Sequence, residues 1–320
     1  MARVFSDERC LLHDAGPGYP EKPARLRRLL DGLEAAGRAV LRLGDHPRAQ
    51  AAVGEVHEDR YVARFERAVA RGDGLLDSAD NPLSDGVWTA AWGAIAATLH
   101  AADAVAGGGD APQAFAALRP PGHHAEHGLA MGFCYFNNVA VAAQHLRRHH
   151  RVERVAIFDF DVHHGNGTQH LFEERADVFY ASTHQYPFYP GTGAAIETGR
   201  GAGLGTTLNL PLPAGTGDEG FAVAIEGSVL PALRAFAPEV LLVSAGFDAW
   251  RDDPLGGMRV SAEAYGTWGR WLRELAAEVC RGRLLSVLEG GYDLAALPTL
   301  VSSYLAGIEA APPATAPSTV

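Results

Sequence analysis

The stretch VAIFDFDVHHGNGTQH, Val155 to His170, decides how the rest of the chain is read. Its first four residues, Val155-Ala156-Ile157-Phe158, are apolar on both faces, as a strand inside a parallel sheet must be. It then sets Asp159, Asp161, His163 and His164 within six residues and breaks into Gly165-Asn166-Gly167. Buried ionisable groups cost several kcal/mol each unless something compensates them. A strand that ends this way predicts an ion or a charged partner at its carboxyl end.

Outward from Val155 the same grammar recurs. Short runs apolar on both faces stand at 113–118, 154–160, 177–182, 206–212, 239–245 and 283–289. Stretches with helical spacing lie between and around them, at 23–37, 58–71, 86–106, 136–150, 167–175, 218–236, 261–281 and 293–308. Buried strands alternating with helices predict an α/β fold with a parallel sheet covered on both sides. Gly107 to Gly109 reads as a loop inside this unit. With no repeat and no shift in composition, one domain over 1–310 is expected. The small, Pro-rich residues 311–320 are expected to form a flexible tail.

The polar residues gather where these strands stop. His123 and His124 follow the first of the runs, and Asp159, Asp161 and His163 follow the second. Ser182, His184 and Tyr189 close the third, Asp248 the run at 239–245, and Tyr292 the last. Open parallel sheets bind ligands in the crevice beyond the carboxyl ends of their strands. Five strand ends therefore point to one site.

Composition narrows what the site acts on. A formal charge of −11 argues against nucleic-acid binding, which needs a basic face. No run approaches the ~18 apolar residues of a membrane span, and the N-terminus lacks the apolar core of a signal peptide. Three widely spaced cysteines, Cys10, Cys134 and Cys280, imply no disulfide framework. A cytoplasmic protein is expected.

Asp161 and His163, two apart on extended backbone, point to one side, and Asp248 from another strand end completes an Asp-His-Asp set. Three protein ligands with a position left open is the pattern of a catalytic metal, usually zinc. The plainer reading is a hydrogen-bonded ion cluster that fixes loops. His123 and His124 supply a base to accept a proton from water, with Asp159 and Asn166 as candidate partners on their far nitrogens. A charged partner keeps its imidazole more basic than an amide does, so the two should differ in protonation. Tyr292 could donate to a developing oxyanion. The other His-His pair, in Leu146-Arg147-Arg148-His149-His150-Arg151, reads as a surface accident at a helix end.

The motifs RPPGHHAE (119–126), GFCYFNN (132–138), DFDVHHGNGTQ (159–169), FYPGTG (188–193), AGFDAWRDDPLGG (245–257) and LEGGYD (288–293) carry a resemblance to the zinc-dependent histone deacetylase family. The likeness is to its class II-like branch, with the bacterial amidohydrolases and acetylpolyamine amidohydrolases. It runs in order from about Phe5 to Leu305. The resemblance implies an arginase/deacetylase-like three-layer α/β fold with a mostly parallel sheet of about eight strands. It implies one Zn2+ on Asp161, His163 and Asp248. His124 becomes the general base and later acid, oriented by Asn166; His123 becomes its electrostatic neighbour, paired with Asp159; Tyr292 polarises the amide carbonyl. Gly132, Phe133 and Tyr189 match the substrate tunnel, with Leu255 at its rim, and Arg25 matches a residue beside an acetate-release channel. A structural K+ is implied on Asp159, Asp161, His163, Ser182 and Thr183, and a second such site on the Phe172, Arg175 and Val178 carbonyls.

Two rivals are weighed against this reading. A binuclear manganese ureohydrolase would need further bridging carboxylates, but Gly165 and Gly246 stand at those positions. A binding module without turnover would be expected to lack part of the catalytic set, and Tyr292 is present. The expected substrates are acetyl-lysine in a peptide or protein, an acetylpolyamine, or a small N-acyl amine, and hydroxamates are the expected inhibitors. Leu255 stands where acetylpolyamine specialists of this family carry Glu, which weakens that specialisation. A homo-oligomer, as the bacterial polyamine enzymes form, stays open.

Overall fold

Val155–Asp159 is buried along its whole length and pairs on both sides, with Val178–Gln185 and with Val240–Ala245. That two-sided burial is why its apolar run does not alternate. The computed structural model describes residues 1–107 and 112–310; the expected tail at 311–320 and most of the expected glycine loop lie outside them. In chain order the strands are β1 (Arg3–Ser6), β2 (Val40–Arg42), β3 (Gln113–Ala116), β4 (Val155–Asp159), β5 (Val178–Gln185), β6 (Thr207–Leu212), β7 (Val240–Ala245) and β8 (Leu284–Leu288). They form one eight-stranded sheet in the order β2-β1-β3-β8-β7-β4-β5-β6, and all its pairings are parallel.

The helices are α1 (Pro23–Ala35), α2 (Ala49–Gly54), α3 (Asp59–Arg71), α4 (Val87–Ala106), α5 (Asn138–His149), α6 (Asn166–Phe172), α7 (Asp218–Ala224), α8 (Leu230–Phe236), α9 (Ala262–Val279) and α10 (Leu297–Glu309). α10 packs on α9 and α1, and α4 on α5, α2 and α3. α4 is Ala-rich and buried on most of its circumference, as a helix pressed between sheet and neighbouring helices must be. Asn137 caps α5 by accepting from the Ala140 N–H, and its amide also donates to the Ala125 carbonyl. The cap thereby ties the His123–His124 loop to a rigid element.

The structure departs from the sequence expectations in three places. β1, β2 and α2 are not foreshadowed by any long periodic run. The helix expected over 218–236 is interrupted by a π-turn at Ile225–Val229. The last helix starts at Leu297, because the Asp293 carboxylate accepts from the Ala295 and Ala296 N–H groups and holds 293–296 as a turn. The five strands that carry the polar strand ends are neighbours, β3-β8-β7-β4-β5, in the middle of the sheet.

Candidate active site at the strand ends

Asp161, His163 and Asp248 converge, each offering one ligand atom, with these atoms all within 4.8 Å of one another. His163 Nδ1 lies 3.0 Å from Asp161 Oδ1 and 3.3 Å from Asp248 Oδ2. Backbone N–H groups orient both carboxylates: Gly290 donates to Asp161 Oδ2 at 2.8 Å and Val162 to Asp248 Oδ1 at 2.8 Å. Asp248 Oδ2 is buried and accepts no hydrogen bond. Two glycines make the approach feasible. A Cβ at Gly246 would sit 2.1 Å from Asp161 Oδ2, and one at Gly290 2.0 Å from Asp248 Oδ2. Gly165 is equally confined, 2.3 Å from Asp159 Oδ2 by the same measure, so no further carboxylate fits there.

The two histidines beyond β3 have different partners, as the sequence suggested. His123 Nδ1 donates to Asp159 Oδ2 at 3.0 Å, an oxygen that also accepts from the Tyr180 hydroxyl. Burial opposes the His123 cation, but the Asp161 and Asp159 charges outweigh it and raise its pKa to about 10. His124 Nδ1 is 2.7 Å from Asn166 Oδ1. Burial, followed by the neighbouring His123 and His163 charges, holds His124 well below the ordinary imidazole range.

The orientation of the Asn166 amide follows from its other contact. Its Nδ2 donates to Glu126 Oε1 at 2.6 Å, and a carboxylate can only accept. Oδ1 therefore faces His124, Nδ1 of His124 carries the proton, and Nε2 is left with its lone pair. Glu126 is itself held by His170 Nδ1 at 2.8 Å, on a ring 38% exposed. Neither Glu126 nor His170 was singled out from the sequence, although both stand inside quoted motifs or beside them.

Glu289, in the LEGGYD motif, is a third residue the sequence reading passed over. Its Oε2 accepts from the Gly122 N–H at 2.6 Å and the His123 N–H at 3.1 Å, fastening the two-histidine loop to the end of β8. Burial pushes its carboxyl up to about 7. Asp253 does the same for Tyr292, accepting its N–H at 2.7 Å and that of Leu255 at 2.9 Å. Arg25 is buried behind the site. Its guanidinium donates to the Gly291 and Glu289 carbonyls, each at 2.7 Å, reaches Glu21 at 3.2 Å, and stacks 4.5 Å from the centroid of the Tyr292 ring. Burial raises the Tyr292 hydroxyl well above its ordinary pKa, against the pull of Arg25.

These groups open into a cavity of about 300 Å³ lined by His124, Gly132, Phe133, His163, Tyr189, Leu255 and Tyr292, all expected, and by Asp80 and Phe188, which were not. Phe188 stacks on His163 with centroids 5.3 Å apart. The Tyr189 hydroxyl donates to Asp80 Oδ2 at 2.6 Å, and the Gly132 N–H reaches the same oxygen at 3.2 Å. At the expected cation positions, Asp159 and Ser182 are register partners and Thr183 Oγ1 is buried without a partner. The Phe172 carbonyl accepts from the Arg175 N–H at 2.9 Å, and the Arg175 carbonyl from the Thr206 hydroxyl at 3.1 Å.

Comparison with known proteins gives concordant results. The histone deacetylase domain family matches residues 19–308. A histone deacetylase-like amidohydrolase of Pseudomonas aeruginosa is 38% identical over 314 residues, covering 92% of this chain and 82% of that one. Histone deacetylase 14, chloroplastic, of Arabidopsis thaliana is 38% identical over 323 residues, 93% of this chain and 74% of the plant protein. The crystal structure of an acetylpolyamine aminohydrolase from Burkholderia pseudomallei superposes with a TM-score of 0.87 at 34% identity, covering 97% of this chain and 99% of that one.

Proposed function

The chain belongs to the histone deacetylase family, and we propose that it is a zinc-dependent amidohydrolase removing acetyl or other short acyl groups from lysine side chains or small primary amines. The observation that carries the reading is the orphaned, buried Asp248 Oδ2 beside Asp161 and His163, with His163 on the wall of a narrow, mostly apolar cavity. One imidazole nitrogen and two carboxylates, with other positions left for water and substrate, suit a catalytic zinc. Zinc held there supplies polarisation of the amide carbonyl and acidification of a water.

The protein's own groups do the rest. His124, with its proton fixed on Nδ1 by Asn166, takes a proton from the attacking water at Nε2 and later delivers it to the departing amine nitrogen. His123 stands beside it, its Nδ1 held by Asp159. Tyr292 keeps its hydroxyl proton at neutral pH and donates a hydrogen bond to the carbonyl oxygen as charge builds there. Arg25 holds that ring from behind. Phe133, Phe188 and Tyr189 clasp the alkyl stem. A structural K+ would be held mainly by backbone oxygens of Asp159, Asp161, His163 and Thr183, with the Asp161 and Ser182 side chains. Three free, buried cysteines fit a reducing compartment and support a cytoplasmic location.

The second reading, acetylpolyamine hydrolysis, is favoured by the Burkholderia neighbour. Leu255 offers no charge to a distant ammonium, and Asp80 is the one carboxylate among the cavity-lining residues. The deciding experiment assays zinc-loaded protein against acetyl-lysine peptides, N-acetylated polyamines and small N-acyl amines, reading release of free amine. Turnover of at least one class, inhibited by a hydroxamate, is expected. Hydroxamate binding with no cleavage of any member of the panel would overturn catalysis.

A further inference from the structure

A second gathering of imidazole and carboxylate lies away from the strand ends, at the close of two helices. Asp103 sits in the last turn of α4, His145 stands near the end of α5, and His150 follows it directly. His46 comes from the loop between β2 and α2. Three ring nitrogens converge on one carboxylate: His145 Nε2 is 2.6 Å and His150 Nε2 2.7 Å from Asp103 Oδ1, and His46 Nε2 is 2.9 Å from Oδ2. These separations resemble the 3.0 and 3.3 Å between ligand atoms of the catalytic cluster. His46, Asp103 and His145 meet the same test as that cluster, one ligand atom each and all within 4.8 Å. His149 is 5.1 Å from His145 and His100 4.8 Å from His46, ring centroid to centroid.

We propose that His46, Asp103 and His145, with His150 as a fourth ligand, form a second metal site that takes a divalent late first-row ion, zinc foremost, and staples the β2–α2 loop to the ends of α4 and α5. Three arguments support it. First, the carboxyl ends of α4 and α5 meet here, and helix C-termini carry partial negative charge that favours a cation. An aspartate in such a place is electrostatically misplaced unless a cation accompanies it. Second, imidazoles with one carboxylate suit zinc, cobalt, nickel or copper, whereas magnesium and calcium want oxygen ligands. Third, a route in exists: the Asp103 side chain is 41% exposed, and His46 borders a wide cleft shared with Asp45 and Trp92.

One hydrogen bond opposes the site. The Arg48 N–H donates to His46 Nδ1 at 3.2 Å, so the His46 proton now sits on Nε2. Metal binding moves that proton to Nδ1 and gives up this long bond, a small loss beside four ligand contacts. The site lies apart from the catalytic centre. α5 begins beside the His123–His124 loop and runs twelve residues away from it, and His150 precedes the start of β4 rather than its end.

The experiment uses tag-free protein, stripped with chelator, equilibrated with excess Zn2+ and desalted before metal analysis. Two zinc ions per chain are expected in the wild type and one in His163→Ala. The double variant His46→Gln/His150→Gln is expected to hold one and to keep wild-type amide hydrolysis. Zinc titrated into His163→Ala should saturate a single site with a Kd on the order of 10 µM or tighter. A wild type that holds one ion, or a second ion that survives in the double variant, overturns the site. So does an absence of saturable binding to His163→Ala. If the double variant does not fold, Asp103→Asn replaces it, with the same expected loss of one ion.

Discussion

The chain builds two imidazole–carboxylate clusters, one at the carboxyl ends of its central strands and one where α4 and α5 end, and they differ in what surrounds them. At the catalytic end the ligands leave strands β4 and β7, backbone N–H groups fix the carboxylates, and glycines remove every side chain that would crowd them. At the second the residues hang from helices and a loop, the carboxylate is part exposed, and the histidines are held by hydrogen bonds to that one carboxylate. The first arrangement opens into a narrow, mostly apolar cavity; the second borders a wide cleft through His46 and a part-exposed carboxylate. Under the proposed function, chemistry belongs to the first cluster, and a metal at the second would serve stability.

Substitutions should separate these two roles. His163→Ala should cost at least about 10³-fold in kcat/KM and one metal ion per chain, while circular dichroism stays native; near-normal turnover would erase the distinction between the ends. His124→Ala should lower kcat by about 10²–10⁴-fold and Tyr292→Phe by about 10²-fold. Both should still bind a hydroxamate, as measured by calorimetry. Glu126→Gln lets the Asn166 amide present either end to His124, and kcat should fall about tenfold. Asn166→Asp alone would set two carboxylates against each other; combining it with Glu126→Gln should recover activity relative to Asn166→Asp, which a purely structural Glu126 would not do.

Two stability measurements sharpen the contrast further. Glu21 is buried between Arg119 and Arg25, and although burial opposes its charge, the two guanidiniums hold its carboxyl at about 2 against an ordinary 4.5. The native state therefore binds fewer protons than the unfolded chain between these values. Its stabilisation is full above pH 4.5 and is lost as pH falls towards 2, so denaturant midpoints should drop over that window and Glu21→Gln should flatten the drop. The smallest effect belongs to the helix-end cluster. Saturating zinc should raise the Tm of His163→Ala by about 1–2 °C for each kcal/mol of binding linkage, and the same ion should leave a His163→Ala/His46→Gln/His150→Gln protein unmoved.

Much of the catalytic end was legible because its residues sit in short contiguous motifs at the close of strongly apolar strands. Asp161 and His163 share one strand end, and Tyr292 follows two glycines after β8. What supports them was not legible. Glu289, Asp253 and Glu126 look like ordinary polar loop residues until folding brings backbone N–H groups or an amide to within hydrogen-bonding reach. β1 and β2, of four and three residues, carry too little pattern to announce themselves and exist through their pairing with β3 and with each other. The pair His149-His150, read as an accident of a helix end, gains meaning only when His46 and Asp103 arrive from distant parts of the chain. Periodicity reports local burial, and neither a hydrogen-bond partner nor a ligand set assembled across a hundred residues leaves a local trace.

Tyr189 is pinned by its hydroxyl to Asp80, a residue of the outer loop that also receives the Gly132 N–H from the facing wall. One acidic side chain thus ties two cavity-lining residues together. Releasing that pin would let the ring swing aside, making position 80 a handle by which bulkier acyl groups could be admitted without redesigning the chemistry beneath.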